Sequence, residues 1–369
     1  MTKKLSIIIP LYNDDKIYSV VRGFEKQTAK PDLFELIIVN DGGKQYHLTS
    51  NKIDISYVEL ELNSGPSVAR NVGAKNAIGE YLLFVGSDCI PDPNLVFRHL
   101  YNFAVFQSDI IQGYTNHVGH DDLFHEFLDV IGLQANYKAL KDKNGNWLHQ
   151  INPSFCLTTN YAIRKQSFFN TGCFNETFKA AAWEDIEFGI RCSQQQLTAM
   201  FDPGAVVTHN HPYDIKSFMK RCRKEGLWRI NLCLIHPEVC AGLISLDEIH
   251  KEKQQPTDIE AMLFEANIIR FSHIEKIKEI LFNLWLGLCQ KSSLYGVLKG
   301  LNNNEILRFT HHATNNTQLE YIFSIASAYL RGDYAYGAHN LEWLKQTDRE
   351  AEWIHELDLV YSNIVYSLQ

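Results

Sequence analysis

No apolar run in this 369-residue chain approaches the length of a membrane span. The most apolar stretch, ILFNLWLGLC (280–289), is half the ~20 residues a spanning helix needs and reads as a buried helix. The opening MTKKLSIIIPLYNDD lacks the apolar core of a secretory leader, because Pro10 and Asp14-Asp15 break its short run. There are eight cysteines, but none is spaced C-x-x-C and most lie in apolar surroundings. Reduced, buried thiols in a cytoplasmic protein are therefore expected, not a disulfide framework. Positive charge is also short: Lys and Arg total 35 against 43 Asp and Glu, a formal net charge of -8. This excludes a general polyanion binder and argues against nucleic acid as a partner.

The residues that are present suit a soluble globular protein, 45% hydrophobic and 21% charged. The length predicts a main domain and a smaller second one. LSIII (5–9) is an apolar run rich in β-branched residues, as in a strand buried on both faces. DKIYSVVRGFEKQT has helical spacing through Ile17, Val20, Val21 and Phe24, and strands are predicted at 34–39, 55–60 and 80–85. The helix between the last two has Pro66 in its first turn and Gly79 just past its end. Strand–helix alternation of this kind predicts an α/β fold with a mainly parallel sheet. Residues 95–150 read as mainly helical, with a loop at KDKNGNW (141–147). Strands return in FCLTTNYAIRK (155–165) and AMFDPGAVVTHNH (199–211), followed by a basic helix over 214–235. HKEKQQPTD (250–258) reads as a linker, and a helical pair is predicted at 321–346. The expected division is 1–240 and an α-helical C-terminal domain at 241–369.

In open parallel sheets, ligands bind beyond the carboxyl ends of the strands. Those positions hold Pro10, Tyr12 and Asn13 after the first strand, Asn40, Asp41 and Gly42 after the second, and Ser87 and Asp88 after the fourth. By residue type alone, Asp41-Gly42-Gly43 is also a turn and Arg70 also a surface ion pair. Asp88 could also cap the turn before Pro91.

Four stretches in order resemble the family-2 glycosyltransferases of the GT-A fold: SIIIPLYND (6–14), ELIIVNDGG (35–43), NSGPSVARNVGAKNAIGEYLLFVGSDCIPDP (63–93) and WEDIEFGIR (183–191). The resemblance covers about the first 230 residues and leaves the C-terminal part outside. It implies a nucleotide-sugar pocket for a UDP-sugar donor, with Asp41 accepting from the uracil N–H, Pro10, Tyr12 and Asn13 shaping the pocket, and Arg70 meeting base or phosphate. It also implies a cation, Mn²⁺ or Mg²⁺, on the diphosphate. The family carries Asp-x-Asp at that point; here Gly86 stands at the first position, Ser87 at the middle one and Asp88 at the last, the main metal ligand. A lone carboxylate implies weaker cation affinity than a pair. His209 and His211 alternate after an apolar run, and the resemblance suggests one or both as further ligands.

In WEDIEFGIR the resemblance makes Asp185 the base that deprotonates an acceptor hydroxyl, with Glu184 on acceptor hydroxyls and Trp183 stacked on a sugar ring. Carboxylates in a first helical turn are also favoured by the helix dipole alone. Glu187 and Arg191 have the spacing of a structural i,i+4 ion pair. The implied reaction is inverting transfer from a nucleoside-diphosphate-sugar to a saccharide or lipid-linked saccharide, as in polysaccharide biosynthesis. The basic run at 216–229 would suit the inner face of a membrane, or simply a solvated helix face. HVGHDDLFHEF (117–127) reads as a helix starting at Asp121-Asp122 with surface histidines. Two other readings are a non-catalytic nucleotide-sugar-binding module, motivated by Gly86, and a transferase acting on DNA or protein, motivated by the basic helix.

Overall fold

A computed structural model describes residues 3–117, 128, 137–211, 213, 215–240 and 293. The cluster at 120–126, the linker at 250–258, the apolar stretch at 280–289 and the helical pair at 321–346 lie outside the described residues. So, apart from residue 293, does the C-terminal domain expected at 241–369. The chain divides into two compact units, Met1–Tyr213 and Asp214–Gln369.

The first unit is built on one sheet. Its strands are β1 (Leu5–Leu11), β2 (Phe34–Asp41), β3 (Asp54–Leu60), β4 (Tyr81–Val85), β5 (Cys89–Pro91), β6 (Ile110–His117), β7 (Gln150–Ile151), β8 (Asn160–Arg164) and β9 (Ala199–His209). They lie in the order β3-β2-β1-β4-β8-β6-β9-β5, with β7 also paired to β9. The β3-β2-β1-β4 half is parallel, as the strand–helix alternation predicts. β6 and β9 are also parallel, while β8, β5 and β7 run antiparallel to their neighbours, so the sheet is mixed. β2 is buried along its whole length and β1 at every position but Pro10, because each has a strand on both sides and helices over both faces. β3, at the edge, exposes Asp54, Ser56 and Glu59.

Helix α1 (Ile17–Phe24) buries Ile17, Val20, Val21 and Phe24, one stripe at helical spacing. With α3 (Leu95–Phe106) it contributes to a core that includes Leu5, Ile7 and Ile9 of β1. On the other face, α2 (Pro66–Asn76) and α5 (Glu184–Gln194) contribute to a second core with Ile8, Phe84 and Tyr161. The short α4 (Lys165–Asn170) adds Phe168 to it.

One expectation fails. Residues 110–117 form a strand, not part of a helical stretch. Gln112 and Thr115 of β6 are buried and make their hydrogen bonds internally. Gln112 Nε2 donates to the carbonyl of Asn160 (3.0 Å), and its Oε1 accepts from the N–H of Leu157 (2.9 Å). In the second unit α6 (Ile215–Ile235) is helical, as expected, with Arg221 paired to Glu225 at 2.7 Å. Among the described residues no helix is long and apolar enough to cross a membrane.

Candidate active site

The carboxyl ends of β1, β2 and β4 lie side by side, because these strands are parallel neighbours. Beyond β1, Tyr12 is exposed and Asn13 adopts a left-handed conformation (φ 51°). Asn13 Oδ1 accepts from the N–H of Lys44 at 2.8 Å, tying the loop after β1 to the loop after β2. Asp41 is buried, and its two oxygens accept from the N–H groups of Ser64 (2.7 Å) and Gly65 (2.9 Å). Each oxygen keeps a second lone pair. Asp41 therefore anchors the loop leading into α2 as well as lying at the expected pocket edge. Gly42 has φ +69°, and a Cβ there would come within 2.4 Å of the Leu62 carbonyl carbon, so a side chain is excluded on both counts.

At the end of β4 the chain turns sharply: the N–H of Cys89 donates to the carbonyl of Gly86 (3.1 Å). A Cβ on Gly86 would lie 2.9 Å from both Asp88 Oδ1 and Cys89 Sγ. A side chain at Gly86 would therefore have to push the Asp88 carboxylate and the Cys89 thiol aside. A carboxylate does stand beside the middle residue, but it comes from another strand end: Ser87 Oγ donates to Asp14 Oδ2 at 3.0 Å. In the sequence Asp14 closes the first motif and breaks the first apolar run, with no ligand role attached to it. Gly86→Asp should accordingly weaken Mn²⁺ binding by displacing Asp88, where an open second-ligand position would strengthen it. Mn²⁺ titration of the two proteins checks this.

Asp88 is the meeting point of the candidate metal centre. Its Oδ2 is 3.2 Å from His209 Nε2 and 3.1 Å from His211 Nδ1. The three could together hold a cation, with ligand atoms all within 4.8 Å of one another. The arrangement follows from sheet order: β5 pairs with β9, placing Cys89 opposite His209, and the N–H of Asn210 donates to the Asp88 carbonyl (2.8 Å). Burial pushes the Asp88 carboxyl up, but the bonds from His209 and His211 outweigh it and hold the group well below the usual carboxylate range. Asp88 thus offers an anionic oxygen throughout the neutral range. One carboxylate and two imidazoles are a donor set for a first-row divalent ion more than for Mg²⁺, which favours all-oxygen shells.

The WED motif opens α5. Trp183, just before it, sits at φ 69°, a region that costs a large side chain backbone strain. Glu184 Oε1 accepts from Arg70 Nη1 at 2.8 Å, and both side chains are at most 9% exposed. This ion pair joins α2 to α5, and so the third motif of the sequence to the fourth. Arg70 Nε, Glu184 Oε2 and Ser67 Oγ are buried without a hydrogen-bond partner among the described residues. Arg70→Ala should therefore destabilise the fold by about 3–5 kcal/mol, because it strands the Glu184 charge; urea unfolding measures this. Asp185 is half-buried and accepts from the N–H of Ile186 (2.9 Å). Burial and the neighbouring Glu184 charge push its carboxyl up to about 7, against the pull of Arg70 and of the Ile186 and Thr158 backbone. Glu187 and Arg191 pair as their spacing predicts, at 2.8 Å. Arg191 also donates to the carbonyls of Thr171 and Cys173, both at 2.6 Å, which makes it a structural residue.

Residues 6–175 match the model of glycosyl transferase family 2. The uncharacterized glycosyltransferase YfnE of Bacillus subtilis is 24% identical over 269 residues, which is 58% of this chain and 67% of YfnE. The poly(ribitol-phosphate) beta-N-acetylglucosaminyltransferase TarS of Staphylococcus aureus is 38% identical over 92 residues, 23% of this chain and only 16% of TarS. Among solved structures, S. aureus TarS 1–349 in complex with UDP-GlcNAc superposes with a TM-score of 0.50 at 14% identity, covering 93% of this chain and 92% of that one. That likeness shows a shared GT-A fold. The match to glycosyl transferase family 2 covers residues 6–175, which hold the first three motifs and most strands of the mixed sheet.

Proposed function

We propose that the chain is an inverting, cation-dependent transferase that moves a sugar from a UDP-sugar to a hydroxyl of a saccharide or lipid-linked saccharide acceptor. The observation that carries this reading is the convergence of Asp88, His209 and His211 beyond the strand ends, where a diphosphate would lie. A divalent cation held there, Mn²⁺ in preference to Mg²⁺, would neutralise the charge building on the leaving diphosphate.

The chain's own residues do the rest. Asp41 keeps lone pairs for a uracil N–H, Pro10, Tyr12 and Asn13 border the base, and Ser87, oriented by Asp14, faces the ribose side. Asp185 takes the proton of the acceptor hydroxyl as its oxygen bonds to the anomeric carbon. The bond from that carbon to the diphosphate oxygen breaks, and UDP leaves with the electron pair. A carboxylate poised near neutrality suits this task, since a stronger acid would be a poorer base. Glu184, fixed by Arg70, has one oxygen left for an acceptor hydroxyl, and Trp183 beside it offers a face for the sugar ring. Screening UDP-sugars for transfer and for slow hydrolysis tests the reading. Release of UDP from none of them, with Mn²⁺ and a range of saccharide acceptors present, would count against it.

A further inference from the structure

His117, the last residue of β6, belongs to no motif and has no part in the proposed reaction. Its Nδ1 lies 3.4 Å from Nδ1 of His209, with the rings 5.3 Å apart and inclined at 71°. Both nitrogens of His209 are therefore engaged, Nε2 toward Asp88 and Nδ1 toward His117. We propose that His117 is the positioning residue that fixes the ring orientation and tautomer of His209 for a divalent cation; the proposal rests on the cation site above.

A neutral imidazole has one N–H and one lone pair. If His209 Nε2 gives its lone pair to a cation, the proton sits on Nδ1 and is donated to His117 Nδ1. His117 then accepts at Nδ1 and carries its own proton on Nε2. Without a cation, His209 donates from Nε2 to the Asp88 carboxylate, its Nδ1 accepts, and His117 donates. The same contact thus serves both states with its direction reversed. Partners that orient a ligating imidazole in this way are worth about 10–100-fold in metal affinity.

The fold goes to some length to make this contact. β6 and β9 pair in one register over 110–113 and 199–202, then in another that sets 114–117 against 206–209. Continuing the first register would bring Val206 opposite His117, in place of His209. The slip takes up Pro203, Gly204 and Ala205, and buried polar groups hold it on every side. Asp202 accepts from Arg98 Nε (2.7 Å), Asn102 Nδ2 (2.6 Å) and the N–H of Gly204 (2.9 Å). Asn160 Nδ2 donates to the carbonyls of Tyr114 (3.1 Å) and Ala205 (2.8 Å), one on each side of the slip. Bulges that re-aim a side chain are a recognised device near active sites.

The test is Mn²⁺ affinity of the whole chain without donor, read from free Mn²⁺ by electron paramagnetic resonance. His117→Phe keeps a ring but no acceptor and should weaken binding about 10–100-fold. His117→Asn places an oxygen where Nδ1 was and should keep most of the affinity. Equal loss in both variants, or loss in neither, overturns the proposal. A second reading needs no variant: nitrogen-15 spectra of the wild-type histidines with Zn²⁺ in place of Mn²⁺ should show His209 protonated at Nδ1, and protonation at Nε2 overturns it. Failure of the cation site itself looks different, since then wild type binds no Mn²⁺ and Asp88→Asn changes nothing.

Discussion

Asp185→Asn should lower transfer about 10²–10⁴-fold, the usual worth of a general base, with donor affinity little changed. The same substitution should raise thermal stability at and above neutral pH. The sign follows from proton binding. The folded chain holds a proton on Asp185 up to about pH 7, whereas the unfolded chain loses it near the ordinary aspartate value. Between those values the folded state binds more protons, so this group's contribution to stability falls as pH rises and reaches its lowest level above the folded value. Asparagine removes that fall. In the wild type, rate should climb as pH rises through about 7, because the base acts only when ionised. A pH–rate profile and melting curves of both proteins at pH 6 and 8 check the pair of effects. A purely structural aspartate would change stability without the loss of rate.

Asp88→Asn should have the second large effect. It removes the anionic oxygen on which both histidine nitrogens converge and leaves neutral donors only. Mn²⁺ affinity should fall by more than the roughly 10–100-fold that an outer partner supplies, and kcat by about 10²–10³-fold, the usual loss when one electrostatic stabiliser of a leaving group goes. His209→Ala should cost more affinity than His211→Ala, because the His209 side chain is 12% exposed and pinned from both sides while that of His211 is 42% exposed. Isothermal titration with Mn²⁺ in the presence of UDP gives all three values.

The parallel half of the fold was legible because LSIII, FELIIV and EYLLFV are short, strongly apolar runs with at most one polar residue each, α1 keeps a 3.6-residue apolar stripe, and Pro66 and Gly79 bracket α2. β6 was hidden by burial of polar side chains: Gln112 and Thr115 are buried yet bonded internally, so the segment lacks the apolar run that marks the parallel strands and reads as part of a helical stretch. The site divides along the same line. Asp88, Asp41 and Asp185 follow strands or begin a helix within contiguous motifs, and their places could be read directly. Arg70 on Glu184 joins residues 114 apart in sequence, and His117 on His209 residues 92 apart. The second contact depends on a register slip that no local pattern announces. Gly86 is the instructive case. In the sequence it looks like a ligand lost, whereas in the fold a Cβ there would press on the Asp88 carboxylate and the Cys89 thiol, beside a serine already bonded to a carboxylate from the loop after β1.

The proposed reaction is a cation-dependent sugar transfer with the cation held by Asp88, His209 and His211. Its most direct test is UDP release from UDP-sugars by the whole chain, measured with Mn²⁺ and again after chelation, beside the Asp88→Asn variant. The account predicts release that requires Mn²⁺ and is lost in the variant. Release at an unchanged rate after chelation would contradict the metal site. Tight, Mn²⁺-dependent binding of UDP with no turnover of any donor would contradict the reaction and leave a binding module on a transferase scaffold.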